Sequence, residues 1–164
     1  MSKSLDSTYV KWGSGFIVLT LIQITVLQYI SINVTQDISV KPDLVLLMLF
    51  FFGLRFSQIH STITGFAAGL LMDILSGGII GLNALTKTLS GFMTGYLPRE
   101  YKIKQLSQCC LFLFMICIIH DVVFNIIYVI NSQLSFWRIF LLHSLPSSAY
   151  TVFIGGIIYY WNKK

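Results

Sequence analysis

Residues 98–104 read Pro-Arg-Glu-Tyr-Lys-Ile-Lys and hold three of the chain's eleven Lys and Arg residues. Apolar stretches flank this turn, at 82–97 and 106–130. The side of a membrane that it faces therefore decides how often the chain crosses. Connections with a Lys/Arg excess stay cytoplasmic. Working outward, six apolar stretches appear, at about 12–32, 42–54, 59–75, 82–97, 106–130 and 139–160. If the N-terminus starts inside and every stretch crosses, Lys3, Lys11, Arg55, Arg99, Lys102, Lys104, Lys163 and Lys164 lie inside. Lys41 and Arg138 lie outside, and Lys87 falls within a span. Removing the second stretch would put the 99–104 turn outside. The pattern predicts an all-α, polytopic membrane bundle of six transmembrane helices, N-in and C-in.

Composition agrees. The chain has 164 residues, of which 10% are charged, against about 25% in a soluble domain. Six spans of about 20 residues use about 120 residues. About 40 then remain for connections and tails, so 1–164 reads as a single integral membrane domain. The net charge of +5 sits in short turns and tails, where topology requires it. That excludes nucleic acid and makes anionic lipid a sufficient partner. The first apolar run exceeds the roughly 7–15 residues of a signal-peptide core, and no small-x-small cleavage site follows it. It reads as an uncleaved first span. Cys109, Cys110 and Cys117 share one stretch and form neither a disulfide framework nor a metal-ligand spacing. They read as packing residues.

Aromatic side chains mark both water boundaries. Tyr9, Trp12, Tyr96, Tyr101, Tyr159, Tyr160 and Trp161 fit the inner interface, and Tyr29, Tyr128 and Trp137 the outer one. Such rings favour this zone because they are apolar at one end and hydrogen-bonding at the other. The second stretch is the short one. Its 13 residues rise only about 20 Å, against an apolar slab of about 30 Å. Extension past Arg55, whose stem can snorkel, lengthens it. Pro42 suits a first helical turn, and Asp43 the positive end of the helix dipole. Gly77, Gly78 and Gly81 form a connection expected to dip inward or pack tightly against its neighbours.

Several polar residues fall inside the spans. Asp73 shares a stripe with Gly65 and Gly69, and Lys87 one with Gly91 and Gly95. Small residues at this spacing let helices approach closely, inside the bundle or with a partner helix. A buried carboxylate needs compensation, so an architectural Asp73–Lys87 ion pair between adjacent antiparallel helices is expected. Asp121, with His120 before it and Asn125 one turn later, admits a proton relay, an ion site or an interhelix clamp. The clamp is preferred because no second carboxylate lies beside it in sequence. His143, near Ser144, Ser147 and Ser148, reads as a hydrogen-bonded packing residue, and Pro146 as a kink. His60 is expected to be solvated near the inner interface.

Catalytic templates are wanting. Ser14 stands between two glycines, but no G-x-S-x-G follows, nor an H-E-x-x-H, a phosphate loop or a metal spacing. The expectation is a non-enzyme without catalytic residues, cofactor or metal.

From Lys41 to Leu97 the chain resembles the MreD family of rod shape-determining proteins. The resemblance rests on Lys41-Pro42-Asp43, His60, Gly65-Phe66, Gly69, Asp73, Ser76-Gly77, Gly81, Lys87 and Gly91/Gly95, with Asp121-Val122-Val123-Phe124 as a second match. It implies a bacterial inner-membrane assembly subunit of the cell-elongation machinery. The implied partners are an MreC-like single-span protein and, indirectly, MreB, a RodA-type polymerase and a class B penicillin-binding protein. It also implies a fold like that of the substrate-binding subunits of energy-coupling-factor vitamin transporters, which makes such a subunit the alternative. There Gln23 and Gln28 would serve a pocket. Those subunits commonly dock through alanines on the first span, and this first span has none. In the assembly reading the docking groove is expected in the outer half, near Asp73, Lys87 and Asp121. The competing expectation keeps those residues internal and leaves lipid-facing apolar rims to partners.

Overall fold

The computed structural model describes residues 2–25, 32–35, 38–96, 105–131 and 135–163, with side chains for 12–25, 40–96, 105–130 and 135–161. The expectations placed on Tyr9, Gln28, Tyr29, Tyr101 and the 99–104 turn, and on the terminal lysines' side chains, lie outside the described residues. The elements are α1 (Ser2–Thr25), β1 (Ile32–Thr35), β2 (Ile38–Val40), α2 (Leu44–Arg55), α3 (Gln58–Ser76), α4 (Leu82–Tyr96), α5 (Leu106–Asn131), α6 (Phe136–Ile139), a π segment (Phe140–Ser144) and α7 (Leu145–Lys163). The last three run on as one rod, so the described residues form an all-α bundle of six rods. Gln58–Ser76, Leu106–Ile130 and Phe136–Trp161 are each long and apolar enough to cross a membrane, and Trp12–Thr25 and Leu44–Arg55 are shorter apolar helices.

Where the sequence suggested a span running to residue 32, a small antiparallel hairpin that includes Ile32 stands between α1 and α2. It pairs Ile32 with Val40 and Asn33 with Ser39, and an irregularity shifts the register before Thr35 meets Ile38. A two-stranded hairpin is marginal alone. Here the chain beyond it is fixed where Val40 is buried.

The short second helix sits at the centre. Val45, Leu46, Leu47, Leu49, Phe50, Phe52 and Gly53 of α2 are all buried. Leu46, Leu47 and Phe50 pack with Cys109, Leu113, Ile116 and Cys117 of α5. Val45, Leu49 and Phe52 pack with Phe16 of α1 and Ala68 of α3. A helix that is apolar all round belongs in an interior. Enclosed by other rods, α2 need not match the lipid slab in length.

α4 has the opposite pattern from a soluble helix. Thr86, Lys87, Ser90 and Thr94 face inward, while Leu85, Phe92 and Tyr96 face out. The hydroxyls of Thr86, Ser90 and Thr94 donate to carbonyls four residues back in the same helix. An outward apolar belt continues over Ile17, Ile63, Phe66, Ile74, Leu111, Met115, Ile130 and Phe153. Lipid supplies no hydrophobic drive between helices, so close packing takes over. A Cβ at Gly65 would collide with the Lys87 carbonyl, at Gly69 with Asn83 and Ala84, at Gly91 with the Ser61 carbonyl, and at Gly95 with Gln58. Both glycine stripes are therefore used within the α3–α4 hairpin.

The 77–81 connection is not tightly packed. A Cβ at Gly77 or Gly81 would meet nothing within 4 Å. Glycine is needed there for backbone shape: Gly77 caps α3 at φ 66° and Gly81 has φ 98°, the left-handed region.

Candidate functional site: a polar cleft at the hairpin end

The site grows from the turn that enters α2. Asp43 caps that helix, its carboxylate accepting from the Leu46 amide at 2.8 Å. The same carboxylate receives Lys87 Nζ at 2.5 Å and Gln23 Nε2 at 3.1 Å. Gln23 Oε1 accepts from the Val45 amide at 2.9 Å, so α1 grips the start of α2. From α7, Thr151 Oγ1 accepts from the Asp43 amide at 3.0 Å, and Ser147 Oγ donates to the Lys41 carbonyl. Lys87 is fully buried, and Asp43 keeps 18% of its side chain exposed.

The expected Asp73–Lys87 pair is not formed. Asp73 accepts from the amides of Gly81 at 2.9 Å, Asn83 at 3.0 Å and Ala84 at 3.0 Å, and from Asn83 Nδ2 at 2.9 Å. It caps α4 from the neighbouring helix. The amides at a helix start are unpaired and carry the positive end of the dipole, so four donors satisfy this carboxylate without a cation. Lys87, one turn further into α4, faces α2 and takes Asp43 instead.

Asp121 and Asn125 join α5 to the last rod. Ser148 Oγ donates to Asp121 Oδ2 at 2.9 Å, and Asn125 Nδ2 donates to Ser144 Oγ at 2.7 Å. His120 Nδ1 lies 3.0 Å from Asp121 Oδ1. The rod departs from α-helical bonding at this level: the Leu145 amide bonds to the Phe140 carbonyl, five residues back. Pro146 follows at once. A π turn next to a proline is a recognised source of a bend. His60 lies away from this site, where Ser57 Oγ bonds its Nδ1.

A cleft of about 350 Å³ opens among these residues. Asp43, Asn83, Asp121 and His143 line it with Gln23, Lys41 and His120. Asp73 and Lys87 are buried, at 1% and 0% exposure. Gly65, Gly69, Gly91 and Gly95 lie in the α3–α4 contact instead. Sequence reasoning placed Ser144, Ser147 and Ser148 beside His143 but missed their partners on α5 and at Lys41, and missed Thr151 altogether. The four hydroxyls' spacing of three, one and three residues was a legible signal, since it places them on one face of the last rod. Among the described residues no group of three or more His, Cys, Asp or Glu comes together as a metal site.

Compared with known proteins, the chain matches the family model of the rod shape-determining protein MreD over residues 9–164. No curated protein and no solved structure matches it.

Proposed function

The chain belongs to the MreD family of rod shape-determining proteins, and so takes part in setting cell shape; we propose that it does so as a non-catalytic assembly subunit in the bacterial cytoplasmic membrane. In this reading it crosses six times with both ends inside. It holds an MreC-like single-span protein and, through it, stands with MreB, a RodA-type polymerase and a class B penicillin-binding protein in peptidoglycan synthesis.

The saturation of Asp43, Asp73 and Lys87 carries this reading. Asp73, Asp43 and Lys87 are engaged in capping and pairing contacts that join helices. A carboxylate already bound by three or four donors is a joint, not a reagent. With little chain outside the helices, contacts fall to the lipid-facing faces. One recess there is an apolar groove of about 640 Å³ between α5 and α7, lined by Cys110, Phe114, Ala149, Val152 and Gly156 among others. We assign it to the partner's single helix, because Ala149 and Gly156 permit close backbone approach between the two longest apolar rods.

The alternative is a substrate-binding subunit of an energy-coupling-factor vitamin transporter. The cleft favours it, and the lack of alanine on α1 counts against it. Co-purification from native membranes separates the two. Recovery of a single-span periplasmic protein supports assembly, and recovery of an ATPase pair replaces it with transport. A membrane-impermeant reagent tests orientation: the 99–104 turn should label only after the cells are opened.

A further inference from the structure

We propose that the cleft at the hairpin end binds a phosphoester anion. The carboxylates beside it are already satisfied. Asp43 holds Lys87, Gln23 and the Leu46 amide, and Asp121 holds Ser148 and His120. The groups left over are basic. His120 is 5% exposed, and its Nε2 is buried with no hydrogen-bond partner among the described residues. His143 lines the same cleft from the π segment, and Lys41 brings a cation to it.

A buried ring nitrogen left unpaired costs free energy, which a bound partner would recover. Asp121 engages the His120 ring through Nδ1, so Nε2 is the ring nitrogen left for a ligand to pair. A phosphoester oxygen accepts from Nε2–H of the imidazolium, and a hydroxyl of the esterified alcohol, or of inorganic phosphate, donates to Nε2 of the neutral ring. With the imidazole protonated, His120 offsets Asp121 and Lys41 offsets one charge of the phosphoester. The cleft volume holds a phosphate with a small alcohol, and Ile24, Met72, Leu75 and Phe124 offer apolar walls beside it. A lipid headgroup and a free phosphate share this chemistry.

The test uses the full chain in a maltoside detergent. Binding of phosphatidylglycerol, inorganic phosphate and diacylglycerol is measured for the wild type, His120→Phe and His143→Phe. The expected result is that a phosphate-bearing species binds and that each variant weakens it at least tenfold. Binding of phosphatidylglycerol alone supports the site with a lipid headgroup as its source. Binding of inorganic phosphate as well supports it with a free phosphate. Equal binding of diacylglycerol, no binding by the wild type, or unchanged affinity in both variants overturns the proposal. His143 is only half-buried, so its variant keeps the test decisive if His120→Phe does not fold.

Discussion

Lys87 and Asp43 lie 44 residues apart and meet at 2.5 Å across the interior, joining α4 to the first turn of α2. Removing one member leaves the other charge buried and uncompensated, which costs about 3–5 kcal/mol. Lys87→Met should therefore destabilise the bundle by about that much. In a double-mutant cycle with Asp43→Asn the losses should be strongly non-additive, read by reversible unfolding in detergent. Additive losses would reject the pair.

Asp73 should behave differently. Asp73→Asn should cost about 1–2 kcal/mol, the range for losing a helix cap with its dipole contribution. Coupling to Lys87→Met should be small. Hydrogen exchange should speed up at the Gly81, Asn83 and Ala84 amides, with little change deeper in α4.

Two glycine substitutions separate packing from backbone shape. Gly65→Ala drives a methyl into the Lys87 carbonyl and should cost about 1–3 kcal/mol by forcing α3 and α4 apart. Gly77→Ala meets open space but holds φ 66°. It should cost about 1 kcal/mol through strain alone. Unfolding midpoints give the energies, and cross-link spacing between α3 and α4 should change only for Gly65→Ala.

The groove between α5 and α7 gives a functional prediction. Ala149 is exposed and lines the recess. Ala149→Trp should fill it, leave the unfolding midpoint within about 2 °C, and lower recovery of the single-span partner at least fivefold on co-purification.

Much of this was legible in the sequence. The apolar stretches gave the rods, because a run of that length leaves the backbone no partner but itself in lipid. The hairpin was not legible: Ile32–Thr35 and Ile38–Val40 are short, and their pairing depends on where α1 and α2 place the ends. The partner of Lys87 was misread for a related reason. Proximity along the α3–α4 hairpin favoured Asp73, yet the amides opening α4 already satisfied that carboxylate. Asp43 was recognised as a helix start, but only tertiary packing brings that start to Lys87. The serines of the last rod were legible only as neighbours of His143. Their effect depends on α5 presenting Asp121 and Asn125 at the same height.

The enclosure of α2 has a consequence for biogenesis. Its twelve residues are too few to rest comfortably among acyl chains, and the carboxylate that opens it waits for an ammonium encoded far downstream. As the nascent chain emerges, this segment has no settled position until the rod bearing Lys87 has been threaded in. A released chain truncated before Lys87 should thus be degraded faster by membrane quality-control proteases than the full chain, and full-length Lys87→Met should share part of that loss.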